Sequence, residues 1–138
     1  MPKPPLPESL QAFLAQANPS VIASVQPDGS PHTAATWYVW DDGRVFVNMA
    51  ATRKRLDNMR ADPRVSITVM GTGDDWYRQI TIRGRIAELA DDADFAGIDR
   101  LSTQYTGKPY ARREQQRVNA WIDVESWYGW NGGQPWLG

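Results

Sequence analysis

A mainly β, α+β fold is what this sequence predicts: an antiparallel barrel of six strands with short flanking helices. Three observations carry that prediction. Six segments have strand character, and Gly-, Pro- and Asp-bearing turns separate most of them. Strands and helices do not alternate, and no G-x-G-x-x-G follows a strand, so a doubly wound nucleotide fold is excluded. Closing a meander of this kind into a barrel removes the exposed edges it would otherwise leave.

The elements follow in order. Residues 1–5 form a Pro/Lys tail, expected to be loose. Leu10, Phe13 and Leu14 fall at helical spacing, and Asn18-Pro19 ends that helix. Residues 21–26 read as the first strand, and Pro27-Asp28-Gly29-Ser30 as a hairpin turn. Residues 32–40 make the second strand, and Asp41-Asp42-Gly43 turns into a third at 44–48. A helix is predicted over 53–61 and stops at Asp62-Pro63. In the fourth strand, 64–70, Val65, Ile67 and Val69 share one face. The fifth, 77–89, bends at Gly84. Residues 91–105 are helical, 118–130 form the sixth strand, and 131–138 are a C-terminal tail. All 138 residues read as one domain.

Composition removes several chemistries. There is no cysteine, so disulfides, thiol nucleophiles and thiolate-bound metals are out. One histidine, His32, cannot build a histidine-rich zinc site, and no metal is expected. A net charge of −1 gives no general attraction to nucleic acid. No apolar run approaches membrane-spanning length, and the Pro-rich start lacks a leader's apolar core, so the chain reads as cytoplasmic. Seven tryptophans suit a core, a flat-ring ligand site or a subunit interface.

The chemically suggestive stretch is Thr52-Arg53-Lys54-Arg55. Thr52 sits where an N-cap belongs, and three cations occupy a first helical turn that ordinarily favours acids. Either an anion joins them, since backbone donors and guanidinium forks can converge on one phosphate, or the turn is simply solvated.

Thr52-Arg53-Lys54 ahead of Asp62-Pro63-Arg64-Val65-Ser66 resembles the stretch through which flavin-binding members of the pyridoxamine 5′-phosphate oxidase-like split β-barrel superfamily hold the FMN phosphate. The likeness runs from about Leu6 to Trp130, including the strand Ile82-Arg83-Gly84-Arg85-Ile86-Ala87-Glu88-Leu89. Within the superfamily, Asn58-Met59-Arg60-Ala61-Asp62-Pro63, the Asp74-Asp75-Trp76 loop and Tyr105-Thr106-Gly107-Lys108-Pro109-Tyr110 look most like the actinobacterial flavin/deazaflavin oxidoreductases that use coenzyme F420. His32 and Trp37 stand where true pyridoxamine phosphate oxidases carry Arg and Lys, which argues against that activity.

The resemblance implies an F420-dependent oxidoreductase that passes hydride to a small conjugated or aromatic acceptor. An FMN-dependent oxidoreductase and a non-catalytic carrier of a flavin, deazaflavin or tetrapyrrole remain as alternatives. It further implies a homodimer, with the coenzyme ring in a groove between subunits. Thr52, Arg53, Lys54 and Arg55 would hold the phosphate, Asn48 and Met49 would lie along the ring or ribityl chain, and Trp37 would line the site. Trp76, Tyr105 and Trp130 would shape the substrate pocket, with Trp127 and Trp130 covering it from the partner. Tyr105, Tyr110 and His32 are the candidate proton donors, His32 being the more readily structural.

Overall fold

A computed structural model describes residues 1–138. One antiparallel sheet dominates it, curled around a core and flanked by three short helices. Helix α1 (Glu8–Leu14) precedes β1 (Ser20–Val25), β2 (Pro31–Ala35), β3 (Val39–Asp41) and β4 (Arg44–Ala50). Then come α2 (Lys54–Ala61), β5 (Arg64–Met70), β6 (Gln79–Asp91), α3 (Ala96–Thr106), β7 (Arg117–Asn131) and β8 (Gln134–Pro135). Strand order is β2-β1-β5-β6-β7-β4-β3, with β8 also on β7. This is the mainly β split barrel expected, with eight strands in place of six.

One extra strand is β8, which pairs with β7 inside the predicted C-terminal tail; the other arises at the predicted second strand, which is two strands. The chain breaks at residues 36–38, where Tyr38 is fully buried and its hydroxyl donates to the carbonyls of Leu14 and Gln16. β2 therefore pairs with β1 and β3 with β4, at opposite ends of the sheet, and the simple three-strand meander does not form. Strand alternation is otherwise as predicted: Val65, Ile67 and Val69 of β5 face Ile80 and Ile82 of β6 within one core.

Both predicted tails are tied down. The Trp127 backbone N–H donates to the Pro2 carbonyl and its indole N–H to that of Lys3. At the other end Trp136 donates its backbone N–H to Gly129 and meets Phe13 edge-on at 5.2 Å. Trp127 is thus a core residue, 4% exposed, and cannot cover a partner's pocket.

Gly84 marks a register shift in the β6–β7 pairing, as the predicted bend requires. A methyl group added there would run into the Asp123 carbonyl oxygen on the neighbouring strand. Gly84→Ala is expected to cost about 2–3 kcal/mol, because backbone must move to admit the extra carbon, which a urea titration would measure.

Helix α3 starts at Ala96, later than predicted, because Phe95 adopts a left-handed conformation (φ 62°) that no helix continues through. Two ion pairs anchor the helix: Arg100 with Asp41 at 3.2 Å, and Arg113 with Asp99 at 2.8 Å. Hydrogen bonds from those arginines hold both carboxyls below the usual carboxylate range. The unfolded chain therefore takes up these protons first, so the stabilisation is complete above about pH 4 and lost as pH falls further. Acid titration followed by tryptophan fluorescence should show loosening begin below about pH 4, and an Asp41→Asn/Asp99→Asn double variant should lack that early phase.

Candidate functional site

Strand β4 and helix α2 meet at a tight turn in which the Arg53 N–H donates to the Ala50 carbonyl. The helix begins at Lys54, with Arg53 at the cap position and no side-chain cap. Thr52 is exposed and lies outside both cavities beside it, so its predicted capping role is not realised: the turn already commits the backbone here. Arg53, Lys54, Arg55, Met49 and His32 line a basic cavity of about 380 Å³. Met49 gives that cavity little side chain, being 1% exposed and packed into the core.

A larger cavity, about 700 Å³, shares Ala35, Arg55 and Arg117 with the basic one. Trp37 and Tyr105 stack there with ring centroids 5.3 Å apart and planes 8° from parallel, while Tyr110 meets Trp37 edge-on at 6.3 Å. Ile98 and Leu101 of α3 complete an apolar wall. Cavities of this size with an apolar lining and few polar groups are typical ligand sites.

The polar end is built around Asn48 on β4. Its backbone carbonyl accepts from Arg55 Nη2 at 3.1 Å, and its Oδ1 accepts from Arg117 Nε at 2.7 Å. Its Nδ2 donates to Asp92 and to Asn119. Asn48 is therefore a scaffold for two arginines, and it also borders the larger cavity. Arg55 also donates to Thr36 Oγ1 at 3.2 Å. Burial, then the charges of Arg53 and Arg117, push its guanidinium down to about 10. None of Arg53, Lys54, Arg55 and Arg117 lies within ion-pair distance of a carboxylate. Two buried nitrogens, Arg55 Nε and His32 Nδ1, have no hydrogen-bond partner. A cluster of cations that includes an orphaned guanidinium donor, Arg55 Nε, fits an anion such as phosphate.

Residues 6–131 match the family described as Pyridoxamine 5'-phosphate oxidase. The chain belongs to that family. Its fold binds flavins, and the family is of oxidoreductase type. Among solved structures, a protein titled an F420 reductase is 26% identical with a TM-score of 0.79, covering 88% of this chain and 98% of that one. A conserved hypothetical protein of Mycobacterium tuberculosis is 24% identical (TM-score 0.73; 94% and 86% covered). General Stress Protein 26 of Bacillus anthracis is 16% identical (TM-score 0.67; 95% and 97% covered). These last two share the fold. No curated protein matches the sequence.

Of the residues expected in the substrate pocket of this family member, only Tyr105 borders the cavity within one chain. Trp76 is 65% exposed beyond it, and Trp130 stacks on Tyr128 with centroids 6.1 Å apart, away from both cavities. Tyr105 is poorly suited to give up a proton. Its hydroxyl donates to the Asn18 carbonyl at 2.6 Å, and burial pushes its pKa up to about 12. Tyr105→Phe should therefore keep the stack on Trp37 and leave the rate of any reductive half-reaction unchanged. It should lower stability by about 1 kcal/mol for the lost hydrogen bond, measured by stopped-flow and thermal denaturation side by side.

Sequence reasoning missed Arg117, Thr36, Ile98 and Leu101. No sequence signal marked Arg117: only the β4–β7 pairing sets it opposite Ala50, at the entrance to the basic turn. No helix is long and apolar enough to cross a membrane.

Proposed function

We propose that this chain is an F420-dependent reductase acting on a small conjugated or aromatic acceptor. The observation that carries the reading is the union of two cavities: a carboxylate-free cluster of cations opens onto a wall of stacked aromatic rings. A ligand with a phosphate at one end and a flat ring at the other matches that layout. The likeness to a protein titled an F420 reductase supports the deazaflavin over FMN. So does Trp37, which gives the ring end an apolar wall where a lysine would favour a negatively charged flavin.

The residues divide the work. Arg53, Lys54 and Arg55 hold the phosphate, with Asn48 fixing the reach of Arg55. Trp37, held flat by Tyr105, forms the wall against which rings lie. When bound, the reduced coenzyme supplies the hydride. The chain contributes orientation and exclusion of water, which suits a site without thiols and with a single histidine.

A homodimer completes the site in this reading. The outward face of β1, β5 and β6 carries the small side chains of Val21, Ala23, Ser66, Thr68 and Thr81, with Arg83 opposite Ser66 at its edge. That face borders the larger cavity through Ala35, the register partner of Val21. A second copy laid there would wall the open side and bury Tyr128 and Trp76.

The test is parallel titration of the apoprotein with oxidised F420 and with FMN, followed by coenzyme fluorescence, together with sedimentation. Selective F420 binding by a dimer is expected. Selective FMN binding would move the chain to flavin chemistry, and tight binding with no hydride transfer to a broad acceptor panel would make it a carrier.

A further inference from the structure

Arg117 lies outside the basic run of α2, yet its side chain borders both cavities, placing it where a ligand's charged end meets its ring. We propose that Arg117 is the third arm of the anion cradle, aimed by Asn48, so that a phosphate group is gripped between β7 and the start of α2. This rests on reading the site as one for a phosphate-bearing coenzyme, and adds a contact from a strand some sixty residues further along the chain.

Four observations support it. Asn48 touches both arginines, taking Arg117 Nε on its side-chain oxygen and Arg55 Nη2 on its backbone oxygen, so one buried residue sets their separation. The Nε bond leaves the Nη groups of Arg117, and no carboxylate lies within ion-pair distance of them. The Arg117 guanidinium lies over the Tyr110 ring, its carbon 5.0 Å from the ring centroid, at the foot of the aromatic wall. Finally, the arginines repel one another. Burial is the largest cause lowering the Arg117 pKa, and Arg53 adds to it against the opposing pull of Tyr110 and Asp92. Asp92 stands outside ion-pair distance of Arg117 and is tied to it through Asn48 and by its own backbone N–H on the Arg117 carbonyl, so it fixes the arm without a direct salt bridge. A doubly charged anion would relieve the crowding and supply acceptors to donors that lack them.

Asn48 is a positioning residue in this scheme, and Arg117 a binding one. The decisive probe is inorganic phosphate, which reports on the cradle without a ring. Thermal shift against phosphate should show stabilisation of the wild type at millimolar levels. The apparent phosphate affinity should fall about tenfold in Arg117→Ala, as expected for one charge-assisted contact. Arg117→Gln, which keeps a donor for Asn48 and loses the charge, should fall similarly and guards against a variant that fails to fold. Arg117→Lys should retain part of the effect. In parallel, the preference for FMN over riboflavin should shrink in Arg117→Ala, because only the phosphate contact is lost. Equal phosphate protection of wild type and Arg117→Gln, or none in the wild type, would overturn the proposal. Phosphate protection that depends on Arg117, in a protein that binds neither F420 nor FMN, would uphold the cradle and remove the coenzyme reading alone.

Discussion

Arg55→Ala is expected to weaken binding of the phosphate-bearing coenzyme by about 10- to 100-fold while moving the melting temperature of the apoprotein by only a few degrees. The affinity loss follows from geometry. Arg55 alone among the cations of α2 borders both cavities, and its Nε is buried without a partner. A hydrogen bond to an ionised group contributes about 1.5–3 kcal/mol, and about 1.4 kcal/mol is tenfold in affinity. The small stability change follows from opposing effects. Removing Arg55 loses bonds to Thr36 and to the Asn48 carbonyl, which destabilises. It also removes a charge that the fold tolerates poorly, since burial and two neighbouring arginines hold its pKa at about 10. The sign is that of a depressed base: the folded chain holds this proton less tightly than the unfolded chain. At pH 7 both are protonated, and the charge costs the fold stability that the substitution returns. A steep fall in melting temperature with unchanged affinity would make Arg55 a structural residue. Isothermal titration and a thermal scan on one preparation separate the two outcomes.

The fold was legible because its strands carry period-two patterns that survive assembly, as at Val65, Ile67 and Val69. The helix running into the Asp62-Pro63 stop and the bend at Gly84 were legible for the same local reasons. What the sequence concealed was set by distant contacts. Nothing near residue 37 says that the chain leaves one sheet edge for the other there, because the cause is the pocket that α1 makes for Tyr38. The cationic half of the site was readable as a run of adjacent charges. Arg117 was not, because its place depends on β7 pairing with β4. Tryptophan count suggested a ring site without saying which ring. Trp37 borders the cavity, Trp127 fills the core and Trp76 lies outside, a sorting made by strand parity and loop course.

Asp92→Asn is expected to destabilise the apoprotein by about 2–4 kcal/mol, the largest effect of any isosteric change near the site. Its carboxylate is 3% exposed and accepts from three donors: the Gly97 N–H at 2.9 Å, the Ile98 N–H at 2.9 Å and Asn48 Nδ2 at 3.0 Å. An ionised carboxylate is acceptor only, so it can face donors with both oxygens. An asparagine in the same place must turn its amide nitrogen toward at least one of them, leaving buried donors opposed and unpaired. Since Asp92 joins the start of α3 to β4, the damage should reach the ring-side wall of Ile98, Leu101 and Tyr105 first. Affinity for ring-bearing ligands should then fall more than protection by inorganic phosphate. The neighbour Asp91 supplies the control. It is exposed and close to the same helix, so a simple attraction between acidic residues and the helix dipole would make Asp91→Asn and Asp92→Asn similar. The hydrogen-bond account instead puts Asp91→Asn within about 0.5 kcal/mol of wild type. Chemical denaturation of the two variants decides between them, because the adjacent aspartates differ in burial and in the hydrogen bonds they accept, while their distances along the chain from the helix are nearly the same.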